Sequence, residues 1–394
     1  MNQYEFDIVI VGAGIVGLSF AARLIDSDFT VAIVERTPLS EITDATDCRV
    51  SAINRFALEH FNQLGVLQSD LSQRVCAFEK MFVWDQAGAG QIQFDSAEMG
   101  VSELGAIIEN NVLQKMLFDV VQSASNITYL CPEEITSIEY SPAVATSMLH
   151  LSSGKQLAAK LLVGADGVQS KVRQAAQISR TSASYQQQGL VCNVRTSEKH
   201  QNTAWQCFMP SGPLALLPLY DGWCSIVWSL DDGLANQYLL LDEADFKLKL
   251  AAASEFKLGE VLEVSKRYAF PLSHGHVEEY VNSGLALIGD AAHSIHPLAG
   301  QGANLGIADA MALAEVLLAA RKNNRQWAAK HTLMKYQRQQ KGANRIMEVS
   351  MSGFKQLFGK QDALLAELRN AGLSLVDHLP AVKYRIIKQA LGNA

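Results

Sequence analysis

Gly12, Gly14 and Gly17 form the spacing GAGIVG between an apolar run, Phe6 to Val11, and a second apolar stretch that continues to about Ile25. Each glycine at such a junction has a physical task. The first permits a tight turn, the second lets a pyrophosphate approach the backbone, and the third lets a helix pack closely on the sheet, with its N-terminus facing the phosphates. Glu35 ends a further strand-like run from Thr30, eighteen residues after Gly17, where a carboxylate can accept hydrogen bonds from an adenosine ribose. The chemistry implied is dinucleotide binding. This loop alone leaves FAD and NAD both open.

Two later segments favour FAD. LLVGADGVQSKVR, from Leu161 to Arg173, places Asp166 just after an apolar strand and before a helix start. LALIGDAAH, from Leu285 to His293, repeats that grammar with Asp290 at the strand end, and it runs on through SIHPLAGQGANLG to Gly306. Gly300 and Gly302 free the backbone ahead of a helix whose amide dipoles can stabilise a negatively charged ring. Asp290 is placed to accept from ribityl hydroxyls.

These three patterns, GxGxxG, GADGxxSxVR and GDAAHxxxPxxGQGxNxG, resemble in order and distance those of the class A flavin-dependent aromatic hydroxylases. Within that class the chain is most similar to the ubiquinone-biosynthesis hydroxylase family. Segments Arg49–Ile53, Glu109–Gln114, Phe208–Pro218 and the ending around Leu368, Leu379 and Ala390 extend the resemblance over essentially the whole chain. It implies bound FAD, with Glu35 on the adenosine ribose, Arg49 and Gln114 at the pyrophosphate or ribityl region, and Asp290 on the ribityl chain. Pro297 and the run Gly300, Gln301, Gly302, Ala303 and Asn304 would border the isoalloxazine. Gly12, Ala13, Gly14, Gly17, Arg36 and Asp166 complete the implied cofactor-binding set. No second GxGxxG occurs in the sequence, which suits a class in which NADPH binds transiently on the FAD domain.

The elements that must position these residues follow from periodicity. A βαβ start is followed by a helix predicted over Ser51–Leu64 with Gly65 as its stop, then by an antiparallel piece near Phe78–Trp84 and Gln91–Phe94. A helix over Asn110–Ser123, a strand at Ile127–Cys131 and a three-stranded meander through Gly164 complete the first body. Short runs between Gly189 and Leu230, punctuated by Pro210, Gly212, Pro213 and Pro218, predict a mostly antiparallel sheet able to keep one face open to a ligand. After a helix near Asp242–Phe256 and a strand at Tyr268–Leu272, the GDAAH strand returns, and the chain from Ala303 is nearly all helix. The expected fold is α/β: a discontinuous Rossmann-like FAD-binding domain (1–180 and 276–325), an inserted antiparallel β-sheet substrate domain (181–275) and a helical C-terminal region (326–394).

Composition narrows the function. Of 394 residues 48% are hydrophobic and 19% charged, which supplies a core and excludes a disordered chain. The stretch from Ile8 to Ala22 is too short to span a bilayer, and Glu5 and Asp7 stand where a signal peptide would be basic. Six cysteines without a CxxC read as reduced thiols of a cytoplasmic protein, against a disulfide reductase. No metal site is expected, since His293 and His296 lack further ligands at sensible spacing. No catalytic residue is assigned beyond those two candidates, and His293 is read as hydrogen-bonding within the flavin loop ahead of acting as a base. Residues 321–394 carry 14 basic and 4 acidic side chains in a chain of net charge −7. A solvated surface, peripheral contact with the inner membrane and contact with other ubiquinone-biosynthesis proteins all stay open for this stretch, as does a homo-oligomer. Nucleic acid is not expected. Trp205, Phe208, Trp223, Trp228, Tyr268 and Phe270 crowd the middle sheet, and two or three of them are expected to line an aromatic substrate pocket.

The resemblance implies a monooxygenase that uses NADPH and O2 to hydroxylate a polyprenylated phenol or benzoquinol, leaning to 2-octaprenyl-3-methyl-6-methoxy-1,4-benzoquinol. The octaprenylphenol and octaprenyl-methoxyphenol steps are alternatives. A flavin-dependent reductase of prenyl double bonds and a non-enzymatic flavoprotein scaffold are the competing classes. A halogenase is disfavoured because WxWxIP is absent.

Overall fold

A computed structural model describes residues 3–88, 90–144, 146–294 and 302–359, the last fourteen by backbone alone. The chain opens with β1 (Gln3–Val11), α1 (Ile15–Ala22) and β2 (Val31–Val34). There follow β3 (Val50–Asn54), α2 (Arg55–Gln63), β4 (Cys76–Phe78), β5 (Lys80–Asp85), β6 (Gln91–Asp95), β7 (Gly105–Glu109), α3 (Asn110–Gln122) and β8 (Ile127–Leu130). The meander is β9 (Ile135–Glu139), β10 (Ser147–Leu151) and β11 (Gln156–Gly164), and a short α4 (Lys171–Ala175) leads to β12 (Arg180–Thr196). Next come β13 (Thr203–Phe208), β14 (Leu214–Pro218), β15 (Cys224–Asp231), α5 (Asp232–Leu240), α6 (Glu243–Ala253), β16 (Val261–Val264) and β17 (Tyr268–Val277). The return is β18 (Val281–Asn282), β19 (Leu285–Leu287), β20 (His293–Ser294), α7 (Gly302–Lys322) and α8 (Lys330–Gly359).

One sheet runs β18-β19-β11-β1-β2-β8, parallel from β19 to β8, with β10 and β9 added antiparallel on β11. Its central strands are apolar throughout because both faces are covered; Ile8, Val9 and Ile10 are all fully buried. Helix α1 buries Gly17 through Ala22 without a break. It has no polar face because it is packed between α3 and α7. Helix α7 is apolar and long enough for a bilayer, yet most of it is buried in this same core, so its composition reflects packing.

A second sheet runs β20-β17-β12-β15-β14-β13-β5-β6. Leu190, Cys192 and Val194 of β12 face Phe246 and Leu250 of α6 on one side. On the other side Ala215, Leu217 and Leu219 pack on a third sheet, β3-β7-β4, through Ala52, Phe78 and Ile107. The pairing is antiparallel except where β13 runs parallel to β5. The sheet also takes in residues 80–95, which the sequence division assigns to the first segment.

Two local expectations are corrected. The helix predicted from Ser51 begins at Arg55, because Val50–Asn54 pairs with β7 and Asn54 serves as N-cap, its side chain accepting from Ala57 N. Helix α5 lies in a stretch that the sequence reading left between elements.

Candidate active site

The strand order β19-β11-β1-β2 brings the carboxyl ends of four parallel strands side by side, the place where open α/β sheets bind ligands. Gly12, Asp166, Asp290 and Glu35 follow these ends. Gly12 adopts φ +102°, and a Cβ there would lie 2.5 Å from the Ala165 carbonyl oxygen. A Cβ on Gly17 would lie 2.1 Å from the Gly12 carbonyl oxygen. Protein packing therefore requires both glycines. Gly14 is different, since a Cβ there would meet no atom of the described residues within 4 Å. Among the described residues nothing demands glycine at that position, and a group that must touch the backbone fits the bare surface.

Glu35 and Gln114 hold this loop from two sides. Glu35 accepts from Ala13 N at 2.8 Å and from Thr37 N at 2.9 Å, while Gln114 Nε2 donates to the Ala13 carbonyl at 2.7 Å. Arg36 is exposed beside Glu134, whose carboxyl is held below its ordinary range first by Lys171 and to a lesser extent by Arg36.

Asp166 accepts from Lys171 N at 2.6 Å and Val172 N at 3.3 Å through one oxygen. The other oxygen is buried without a hydrogen-bond partner in the protein, and burial pushes the carboxyl above the usual aspartate range. An orphaned buried acceptor costs about 1–3 kcal/mol, and a hydroxyl-bearing cofactor would relieve that cost. Asp290 has an open side toward solvent but is hemmed in by protein elsewhere, the environment of a group on the floor of a cleft. This crowding raises its carboxyl, and His293 and Arg180 offset part of the rise. The donor set, two carboxylates and a bare glycine loop, fits the ribose, ribityl and pyrophosphate groups of FAD.

His293 is buried, and its Nε2 lies 2.5 Å from Asp309 Oδ2. That carboxylate is itself fully buried and also accepts from Gly289 N at 3.0 Å. Among the described residues the imidazole thus meets a carboxylate on α7, while residues 295–301 of the flavin loop lie outside them. The reason is depth: the GDAAH turn drops the imidazole inward beside Tyr280, with ring centroids 5.7 Å apart. Asn304 is buried as well, accepting from Asn54 N at 2.9 Å and donating to the Ala52 carbonyl at 2.7 Å. It ties the start of α7 to β3. Gly302 opens α7 and, like Gly14, offers a position where a Cβ would meet none of the described residues, while Ala303 packs against the core. His296, Pro297, Gly300 and Gln301 lie outside the described residues.

Arg49 is exposed at the end of the irregular segment between β2 and β3, its guanidinium 5.7 Å from the Phe270 ring centroid. Phe270 and Tyr268 pair with Gly189 and Val191 on β12. Cross-strand partners share a face, so both rings lie on the side of Val191 and Asn193, opposite α6. They are 43% and 40% exposed, whereas Trp228 is 2% exposed and packs on Tyr238. Trp205 stacks near Phe82 at 5.2 Å, and Trp223 joins the cluster on the third sheet. Of the six aromatics, the structure leaves Tyr268 and Phe270 most open.

The sequence reading missed Asp309, Arg180, Arg74 and Glu109. Asp309 had a signal, an isolated acid within the apolar run Ile307–Leu313. Arg74 had none, and Glu109 appeared only as the start of the segment Glu109–Gln114, since only the fold brings the two together. Among the described residues no cluster of His, Cys, Asp and Glu could hold a metal ion, and the six cysteines are free.

The family model described as FAD binding domain matches residues 5–349. The chain is 34% identical over 394 residues to 3-demethoxyubiquinol 3-hydroxylase of Escherichia coli (strain K12), covering all of both chains. It is 32% identical to the mitochondrial ubiquinone biosynthesis monooxygenase COQ6 of Danio rerio, covering 97% of this chain and 89% of that one. The crystal structure of p-nitrophenol 4-monooxygenase PnpA from Pseudomonas putida DLL-E4 superposes with a TM-score of 0.80 at 18% identity, covering 100% and 99% of the two chains.

Proposed function

Because the chain belongs to the FAD binding domain family of flavin-dependent monooxygenases, we propose that it hydroxylates the ring of a polyprenylated benzoquinol in ubiquinone biosynthesis, with the demethoxy benzoquinol as substrate. The observation that carries this reading is that similarity to the ubiquinone-pathway hydroxylases runs through the second sheet as well as the FAD-binding body. The open face bearing Tyr268 and Phe270 suits a flat, apolar ring.

Bound FAD, reduced by NADPH, would supply the activation of O2, one atom of which would go to the ring and the other to water. This chain's residues bind and orient. The Gly12–Gly17 loop and Gln114 receive the pyrophosphate, Glu35 and Asp166 take hydroxyl donors, and Asp290 holds the ribityl chain. Arg49 lies between the nucleotide end and the substrate sheet. His293, turned inward to Asp309, stiffens the turn that carries Asp290. We place the protein in the cytoplasm, with the basic stretch 321–394 as its contact with the inner membrane or a protein partner. Within it, the amphipathic candidate 382–391 lies outside the described residues.

The test is oxygen uptake with NADPH and a short-tailed demethoxy benzoquinol. Hydroxylated product formed in step with oxygen consumed is expected. Reductant consumption without oxygen uptake would indicate a prenyl reductase, and no turnover with any pathway quinol would leave a flavoprotein scaffold. The precursor that accumulates when the protein is removed identifies the ring position.

A further inference from the structure

The segment that carries Arg49 has no regular structure from residue 35 to residue 49, yet its last part is held from two sides by buried groups. Arg74 is 7% exposed and Glu109 1% exposed. They form a two-pronged pair, Nε to Oε1 at 2.8 Å and Nη2 to Oε2 at 2.6 Å. Both also grip the segment. Arg74 Nη1 donates to the Thr43 carbonyl at 2.6 Å and Nη2 to the Ala45 carbonyl at 3.4 Å, while Glu109 Oε2 accepts from Asp47 N at 2.6 Å. From the opposite side, Asn193 of the second sheet, 3% exposed, donates to the carbonyls of Thr46 at 2.9 Å and Asp47 at 3.3 Å. Thr46 Oγ1 donates to Asp221, and the Asp47 side chain accepts from Arg49 N at 3.0 Å. The chain then enters β3, where Asn110 N donates to the Arg49 carbonyl at 2.9 Å.

We propose that Arg74 and Glu109 are positioning residues for Arg49, forming with Asn193 a clamp that presents the Arg49 guanidinium to the bound flavin nucleotide. Arg49 itself is exposed and makes no ion pair among the described residues, and one exposed contact with the Phe270 ring is a weak hold on its place. A charged side chain on an irregular segment would otherwise lose conformational entropy on each binding event. A forked guanidinium–carboxylate pair holds neighbouring carbonyls and amides in a set geometry that a lysine could not reproduce. The clamp also explains why a buried charge pair stands here at all, since such pairs are weak sources of stability.

This inference rests on Arg49 contacting FAD, and the experiment keeps the two questions separate. Removing one charge alone would strand its partner, so the clamp is opened with the paired change Arg74→Met and Glu109→Leu, and separately with Asn193→Ala. FAD dissociation constants are measured by titrating apoprotein, with circular dichroism as a fold check. Arg49→Ala is combined with each clamp variant in a double-mutant cycle. A clamp that acts through Arg49 weakens FAD binding about 10- to 100-fold, and adding Arg49→Ala to the opened clamp weakens it no further than Arg49→Ala alone. Effects that multiply, or an opened clamp with wild-type affinity, overturn the proposal. Should the paired change fail to fold, the Asn193→Ala cycle decides by the same criterion. Wild-type protein that takes up no FAD would instead overturn the flavin reading itself.

Discussion

The nucleotide end of the molecule and the second sheet, the proposed substrate face, are built on opposite principles. At the nucleotide end, Gly12, Glu35, Asp166 and Asp290 follow closely on parallel strands, and a few contiguous residues set their geometry. Val11 to Ile15, Gly164 to Lys171 and Leu287 to Gly289 each run from a strand end through a turn into a helix or 3-10 start. On the substrate sheet no contiguous segment defines the open face. Phe270, Tyr268, Val191 and Asn193 come from strands up to 79 residues apart, and only register places them side by side. The nucleotide end therefore tolerates little local change, while the substrate face can vary one residue at a time. That difference suits a fold that keeps its cofactor and changes its substrate.

The sharpest way to break this comparison lies within the glycine loop. Gly17→Val would drive a Cβ into the Gly12 carbonyl, a backbone clash that no rotamer relieves. It should cost about 3 kcal/mol or more and yield little folded protein. Gly14→Val meets open space at an extended, permitted backbone conformation, φ −71° and ψ −179°. Its apoprotein should melt within about 0.5 kcal/mol of wild type while purifying colourless, because the new side chain occupies the approach of the pyrophosphate. Thermal melts and the flavin absorbance of the two variants measure this. Equal behaviour of the pair would show that the loop does not separate packing from binding.

Such separation also explains what could be read in the sequence. The motifs were legible because a strand end followed by a tight turn needs specific residues at fixed spacing. The start of α2 was misjudged because Ser51–Asn54 pairs with β7, more than fifty residues away, and that partner decides against helix. His293 was legible as part of GDAAH, but its partner Asp309 depends on how α7 packs under the turn. The Arg74–Glu109 pair left no trace, because a charged residue at the end of a 3-10 turn and another at a strand end look like ordinary surface until the fold buries them. The inserted sheet was foreseen as mostly antiparallel. Its parallel β13–β5 pairing was not, since that depends on a segment over a hundred residues earlier.

A smaller effect is expected at Asp290. If its carboxylate accepts ribityl hydroxyls, Asp290→Ala leaves those hydroxyls unpaired and lowers FAD affinity about 5- to 150-fold, for a loss of about 1–3 kcal/mol. The raised carboxyl gives a second readout. Hydroxyl donors favour the ionised form, so affinity should be full above the free protein's raised value and should fall as pH drops through it toward the ordinary 3.8. The same raised value means that, for apoprotein, the Asp290 contribution to stability is present at low pH and is lost as pH rises through it. FAD titrations from pH 4 to pH 7 should slope in wild type. In Asp290→Ala they should be flatter, any remaining slope reporting Asp166, whose carboxyl burial also raises. Identical pH profiles would mean that Asp290 only shapes its turn.

The smallest effect belongs to the substrate face, where the comparison predicts function without stability. Phe270 is 43% exposed and has Arg49 above its ring at 5.7 Å. Truncation removes one surface cation–π contact, worth about 0.5–1 kcal/mol at an exposed site, and little core. The melting temperature of Phe270→Ala should therefore move by about 3 °C or less. If the ring is one wall of the quinol site, KM for a short-tailed quinol should rise about 3- to 10-fold, an aromatic contact of roughly 0.7–1.4 kcal/mol. Phe270→Tyr should restore most of it, because the flat apolar surface is what the substrate meets. FAD affinity is the control, since Phe270 also touches Arg49. A loss of FAD binding that matches the rise in KM would place Phe270 with the nucleotide end, and would make the open sheet face a support for Arg49 instead of a platform for the ring.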